Sequence, residues 1–184
     1  MNRLMWTLPL LLGPLKESYA WPSDQTLRAL DAVQSQITSH ENVMTFLEQQ
    51  NHTHRLLSDD EKQQQHVAWT KELEDRYSPM MAKISSNVIS DLLWEIQIEN
   101  ELAFAQVIVS DAKGIIAGQS IVSPNYRVDH DISWDRAMQA GQNIIDDESA
   151  IYPIKNENDV VIGAVIYHFE VPRYIRYTAH KFQY

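Results

Sequence analysis

The sequence predicts an α+β fold, with long N-terminal helices packed on a five-stranded antiparallel sheet. Three observations carry this. Between residues 24 and 96, apolar side chains recur mostly every three or four positions, the period of amphipathic helices. From Leu102 the pattern changes to short runs rich in β-branched and aromatic residues. Turn sequences separate most of those runs by only a few residues, so the strands are mostly joined by hairpins and the sheet is antiparallel.

In chain order, residues 24 to 50 carry Leu27, Leu30, Val33, Ile37, Val43, Phe46 and Leu47 at helical spacing, with a break expected near Ser39-His40. Asn51 to Leu57 reads as a connection. Ser58-Asp59-Asp60-Glu61 is a capping box, in which Ser58 accepts from an early helix amide while Glu61 reaches back. The helix it opens presents Val67, Trp69, Leu73 and Tyr77. Ser78-Pro79 ends it, because the residue before proline is pushed out of helical geometry. A third helical stretch follows from Met80 to Ile96, with a wide apolar face suited to packing on the sheet.

Phe104 to Val109 is the first strand, Asp111-Ala112-Lys113-Gly114 a turn, and Ile115 to Ser120 the second strand. A loop containing Pro124 leads to a short helix around Ser133 to Ala140, with Gly141 suited to its end. Asn143 to Asp147 and Ala150 to Lys155 are two short strands. Asn156 to Asp159 is a turn, and Val160 to Phe169 is the last and longest strand. Gly163 inside it signals a bulge or a close approach of another backbone. The division expected is 1–20 as a leader, 21–100 as a helical region, 101–170 as the sheet region that forms one domain with the helices, and 171–184 as a tail. That tail interleaves Arg173, Arg176 and Lys181 with Tyr174, Tyr177, Phe182 and Tyr184.

The leader expectation rests on a three-part pattern. Arg3 gives a positive start, Leu4 to Leu15 is apolar but for one threonine, and Ser18-Tyr19-Ala20 offers small residues at a cleavage site. The run is shorter than the roughly 20 residues a bilayer span needs. Cleavage after Ala20 and export are therefore expected, with an uncleaved anchor as the alternative. The chain has no cysteine, which excludes disulfides and thiol chemistry and fits a bacterial periplasm better than a secreted disulfide scaffold. The formal charge of −10 argues against a nucleic-acid partner, since phosphate binding needs a basic surface.

Three stretches together resemble the extracytoplasmic Cache, or PDC, sensor domains, which have a PAS-like sheet. Val107-Ile108-Val109-Ser110-Asp111-Ala112-Lys113-Gly114 is similar to that family's first hairpin, and Asn125 to Trp134 to its loop. Tyr152-Pro153-Ile154 with Val161-Ile162-Gly163-Ala164-Val165 is similar to its closing hairpin. Asn51, Trp69 and Glu72 also fall in a pattern of the short stand-alone periplasmic members. The chain departs from the family at Asn125, where aspartate is common, and at Asp129-His130-Asp131, which replaces a Gly-Asp-Glu run. Both departures touch the rim of the pocket, so ligand identity does not carry over.

The resemblance implies a sensory or ligand-binding module that captures a small polar molecule, of amino-acid, carboxylate or amine type. The pocket would lie between the sheet and the loop. Tyr126 and Trp134 would wall it, Arg127 would fork a carboxylate, and Asp129, Asp131 or Asp147 would take an amine. Tyr152 and Tyr167 would join from the sheet if they point that way. The competing reading has Tyr126 and Trp134 pinning the loop to the core, Arg127 paired to a nearby acid, and Asp129 or Asp131 capping the next helix. With no output domain, such a module would signal through a separate membrane receptor or sensor kinase, which the helical face of residues 24 to 50 or the tail would meet.

No cofactor and no enzymatic activity are expected, because nothing resembles a nucleophile with an oriented base. A ligand-free interaction module of the same fold is the first rival. A metal site or hydrolytic centre built on His130 or His168 is the second, with His52 and His54 weaker candidates and Asp146-Asp147 the acid pair.

Overall fold

The structure is a computed structural model that describes residues 24–75, 78–100 and 104–169. The leader-like segment, Tyr77, Leu102 and the aromatic-basic tail lie outside the described residues. Among those described, no helix is long and apolar enough to cross a membrane.

The N-terminal part is helical. α1 spans Asp24–Thr38 and α2 Glu41–His54, with the break at Ser39-His40 that the spacing predicts. α2 runs on through Asn51, which the sequence reads as a connection. Tertiary bonds hold that last turn: Asn51 Oδ1 accepts from the Ala112 amide at 2.9 Å and its Nδ2 donates to the Ile162 carbonyl at 2.6 Å. α3, Asp59–Glu72, begins on the expected capping box. Ser58 Oγ accepts from the Glu61 amide at 3.3 Å, and Glu61 accepts from the Ser58 amide at 2.8 Å.

The stretch expected as one helix from Met80 to Ile96 is two. α4 is Pro79–Ser85 and α5 is Val88–Glu99. Asn87 divides them, because its Oδ1 accepts from the Ile89 and Ser90 amides, both at 3.0 Å, and so starts a new helix. Its Nδ2 then donates to the Ala117 carbonyl of the sheet at 2.8 Å, which fixes where α5 begins. The continuous apolar face hides this break, since an N-cap asparagine leaves the periodicity intact.

The sheet holds β1 (Gln106–Asp111), β2 (Ile116–Gln119), β3 (Ile144–Ile145), β4 (Ser149–Lys155) and β5 (Val161–His168), with α6 (Ile132–Ala140) between β2 and β3. The strand order is β2-β1-β5-β4-β3 and every pairing is antiparallel, the PAS-like α+β arrangement. The first and last strands therefore lie side by side at the centre. Gly163 marks a close approach there: a Cβ at that position would collide with the carbonyl oxygen of Ser110 on β1.

Both faces of the sheet are covered. Side chains of a strand alternate between faces, and the two cores follow that alternation. On one face Val107, Val109, Tyr152, Ile154, Val165 and Tyr167 pack against Leu30, Val33 and Ile37 of α1, Val43 and Leu47 of α2, and Leu93 and Ile96 of α5. On the other, Ile108, Ile151, Ala164 and Ile166 meet Trp69, Met81, Ile84, Tyr126, Trp134 and Ala137. The apolar stripes of α1 and α2 are thus buried against the sheet, which leaves their polar outer faces to solvent. Each large side chain fully buried in either core contributes about 1.5–3 kcal/mol of apolar transfer.

Candidate functional site: the loop over the sheet

The loop from Ser123 to Asp131 is fastened to the edge strand β2. The Ile116 amide donates to the Tyr126 carbonyl at 3.1 Å, and the Val128 amide donates to the Gly114 carbonyl at 2.8 Å. Ile115 and Arg127 form an isolated antiparallel bridge between these segments. The loop therefore behaves as a short added strand that covers an edge otherwise open to solvent. Gly114 permits this closeness. Its φ is +75°, and a Cβ there would stand 2.5 Å from the Asp129 Cβ.

Two cations converge on Asp129. Arg127 donates through Nε to Oδ1 at 2.5 Å and through Nη2 to Oδ2 at 2.7 Å. Lys62 of α3 donates to Oδ2 at 2.6 Å and also reaches Asp59 at 2.8 Å. The Lys62, Arg127 and Asp129 side chains are 8%, 17% and 12% exposed, whereas Asp59 is 87% exposed. Burial pushes the Asp129 carboxyl upward, but the hydrogen bonds from Arg127 and Lys62 outweigh it and hold the group below its usual range. For Lys62 burial acts downward and is overcome by bonds to Asp129 and Asp59, so its ammonium is held above its ordinary value. The bond to Asp129 likewise leads the rise of the Arg127 guanidinium. All three partners agree: the cluster is ionised throughout.

The aromatic residues of the loop fill the space over the sheet. Trp134 is buried and its indole N–H donates to Ser110 Oγ on β1 at 3.0 Å. Tyr126 is buried against Trp69, with ring centroids 5.7 Å apart. Trp69 donates in turn to the Ser123 carbonyl at 2.9 Å and so ties α3 to the start of the loop. Burial foremost, and then the charge of Asp111, push the Tyr126 phenol up to about 12, so it stays protonated.

The remaining candidates lie apart. Asp131 is the N-cap of α6, accepting from the Ser133 amide at 2.7 Å and the Trp134 amide at 3.4 Å. Asp147 is exposed in the turn between β3 and β4. Tyr152 and Tyr167 point to the opposite face of the sheet, where their hydroxyls donate to Asp31 at 3.3 Å and Gln34 at 3.1 Å of α1. Thus Tyr126, Arg127, Asp129 and Trp134 are brought together, Asp131 borders them, and Asp147 and Tyr152 are elsewhere. Among the described residues no three His, Asp or Glu side chains are grouped to hold a metal ion. His52 and His130 are exposed.

Two contributors escape sequence reasoning. Lys62 sits in the first turn of a capped helix, where a lysine reads as solvated, yet it is 6% exposed. Asp111 reads as turn chemistry, and it does accept from the Lys113 and Ile115 amides at 2.9 Å each. Its other oxygen also accepts from Gln50 at 3.0 Å and faces His54 Nδ1 at 2.6 Å, so the hairpin turn is clamped to α2. Asn51 in the resembling motif belongs to the same clamp. Glu72 has a comparable structural part: its carboxylate accepts from the Met80 and Met81 amides at 2.9 and 3.0 Å and caps α4. No protein-family model matches this sequence, and no curated protein sequence matches it.

Proposed function

We propose that this chain is a Cache-like sensory module, exported from the cytoplasm, that acts by contact with a separate membrane partner and whose loop is a closed latch. The observation that carries this reading is that the loop's recognition groups are already satisfied internally. Arg127 is bound bidentately by Asp129, Asp131 caps a helix, and Tyr126, Trp134 and Trp69 occupy the space over the sheet. A ligand cleft needs a concave space with a few convergent free polar groups. Signalling would then be a shift between latched and released positions of the loop and α3, biased by whichever partner binds one of them better.

A second reading, capture of a small anion at the same cluster, is favoured by one feature. The shielded part of the cluster holds two cations, Lys62 and Arg127, against one carboxylate, Asp129. A ligand carboxylate could complement that surplus.

A thermal-shift screen with amino acids, small carboxylates, amines, purines and divalent metals separates the two. The latch reading expects Arg127→Ala to lower the midpoint without any ligand, and no compound to act through Arg127. A compound at about 100 times its Kd adds about 2.7 kcal/mol to the native state. A carboxylate giving such a shift, abolished by Arg127→Ala, would establish the second reading and overturn the first.

A further inference from the structure

α3 grips the loop with one face. Lys62, His66 and Trp69 are four and three residues apart, so they line one side of the helix. Each holds a different point of the loop, in the opposite chain direction. Lys62 Nζ donates to Asp129 at 2.6 Å and Trp69 Nε1 donates to the Ser123 carbonyl at 2.9 Å. Between them, His66 Nδ1 accepts from the Tyr126 amide at 3.4 Å. Tyr126 is also where the loop joins the sheet edge, since its carbonyl accepts from the Ile116 amide at 3.1 Å. The His66 contact is therefore the middle one of three and sits directly behind the bond to β2.

The three contacts differ in what pH does to them. An indole N–H does not titrate near neutral pH. The Lys62 ammonium stays charged, because its bonds to Asp129 and Asp59 overcome burial. Histidine is the side chain that changes charge between about pH 5 and pH 8. A backbone amide can only donate, so Nδ1 of His66 presents its lone pair and the neutral ring carries its proton on Nε2. A second proton goes to Nδ1 and sets one N–H against another. The Tyr126 amide then loses its acceptor and has no other among the described residues.

The surrounding charges act in the same direction. From the loop, Arg127 and His130 act on the His66 ring and oppose a positive charge there. The loop carboxylate that could offset them, Asp129, is engaged by Arg127 and Lys62. On α3 itself Lys62 stands one turn earlier, paired to Asp59 as well. α4 also packs on α3, and its one charged side chain, Lys83, is exposed. Burial first, then His130 and Arg127, hold the His66 imidazole below its ordinary value.

We infer that His66 is an acid-sensitive clasp, whose protonation frees the loop from α3 and from the edge of β2. The inference rests on the latch reading above and names what trips the latch. A His66 ring released into water titrates near its ordinary value of about 6.5. The released form therefore binds the proton more readily, and falling pH shifts the population toward it.

Amide hydrogen exchange of the full chain tests this, with each rate divided by the intrinsic rate at the same pH. The Ile116, Tyr126 and Val128 amides report the loop, and those of the central β1–β5 pair report global opening. Relative to the central pair, loop protection should fall by up to about tenfold between about pH 7.5 and pH 5.5. His66→Asn offers Oδ1 as an acceptor that does not titrate, and should hold loop protection level over that interval. His66→Ala should lower it at both ends. If neither variant folds, the His66 ring titration followed by NMR in the unaltered chain decides, since its midpoint must match that of loop opening. Loop protection that does not change with pH, that falls only in step with the central pair, or that still falls in His66→Asn overturns the inference, as does a mismatch of midpoints. Arg127→Ala checks the latch separately and should expose the loop amides at both pH values. If it leaves them protected, the latch reading fails and this inference with it, whereas the other adverse results remove the clasp alone.

Discussion

His54 Nδ1 stands 2.6 Å from Oδ2 of Asp111, a contact between the last turn of α2 and a hairpin turn 57 residues away. The Asp111 side chain is fully buried and the His54 side chain is 16% exposed. Two backbone amides and Gln50 complete the carboxylate's hydrogen bonds. This one residue thereby sets the turn and docks a helix.

Asp111→Ala leaves two amides and two side chains without their acceptor. A loss of about 3 kcal/mol or more in urea unfolding is expected, on the scale of uncompensated buried donors. His54→Ala removes a single partner and should cost about 1–2 kcal/mol. Because the two share one network, the double variant should cost less than the sum of the singles. Strict additivity would mean that the contact does not bear on stability.

The Asp129 cluster makes a pH prediction. Its folded-state carboxyl is held below its usual range, the bonds from Arg127 and Lys62 overcoming the opposite effect of burial. The unfolded chain, with an aspartate near 3.9, therefore takes up a proton more readily. The contribution is present in full above about pH 4 and is lost as pH falls through the lower folded value. Asp129→Asn should destabilise the protein near neutral pH, where Lys62 and Arg127 lose their shared partner. It should also flatten the fall in stability as pH drops below about 4 relative to the unaltered chain. Equal acid slopes in the two proteins would show that other carboxylates govern that limb.

Glycine substitutions separate two effects. Gly163→Ala would drive a Cβ into the Ser110 carbonyl of the adjacent strand, and backbone cannot swing away as a side chain can. A cost of about 1–3 kcal/mol is expected from overpacking. Gly114→Ala adds left-handed strain to a collision with Asp129, and should loosen the loop from β2. Gly141→Ala is the control. Its φ is +61°, but the nearest atom is the flexible Lys155 Cε at 3.4 Å. It should cost only about 1 kcal/mol, the strain of the left-handed backbone itself. Similar losses at all three positions would remove the case for close approach at Gly163.

The fold was largely legible because its signals are local. Periodicity, the Ser58 capping box, the Asp111 to Gly114 turn and Gly141 each act within a few residues, and all appear where expected. The division of α4 from α5 was not legible, since Asn87 caps a helix without disturbing the apolar stripe around it. The loop was legible as a cluster but not as a closed one. Arg127 meets an acid only two positions away, but the second cation on Asp129 is Lys62, brought from 67 positions away by the packing of α3. The face chosen by Tyr152 follows from strand register, because its pairing with Val165 places both toward α1. A one-residue shift would have turned it toward Trp134. Long-range register and helix docking, not residue type, thus decide which polar groups share a site.

His168 closes β5 and carries the second pH dependence. Burial lowers its imidazole below the ordinary value, and the carboxylates of Asp131 and Asp146, which act upward, do not offset it. His66 of α3 shifts the same way, first through burial and then through the positive charges of His130 and Arg127. Both histidines bind a proton less readily folded than unfolded, where the value is about 6.5. Stability from them is therefore complete above about pH 6.5 and declines as pH falls through their folded values. The unaltered chain should lose stability between about pH 7 and pH 5, and His168→Gln with His66→Gln should lose measurably less over that interval. Denaturant midpoints at the two ends of the interval measure this. Because Asp129 acts only in the more acid range, the two limbs separate: the histidine variant changes the upper limb and Asp129→Asn the lower. A histidine variant that leaves the upper limb unchanged would show that neither imidazole is desolvated as its packing implies.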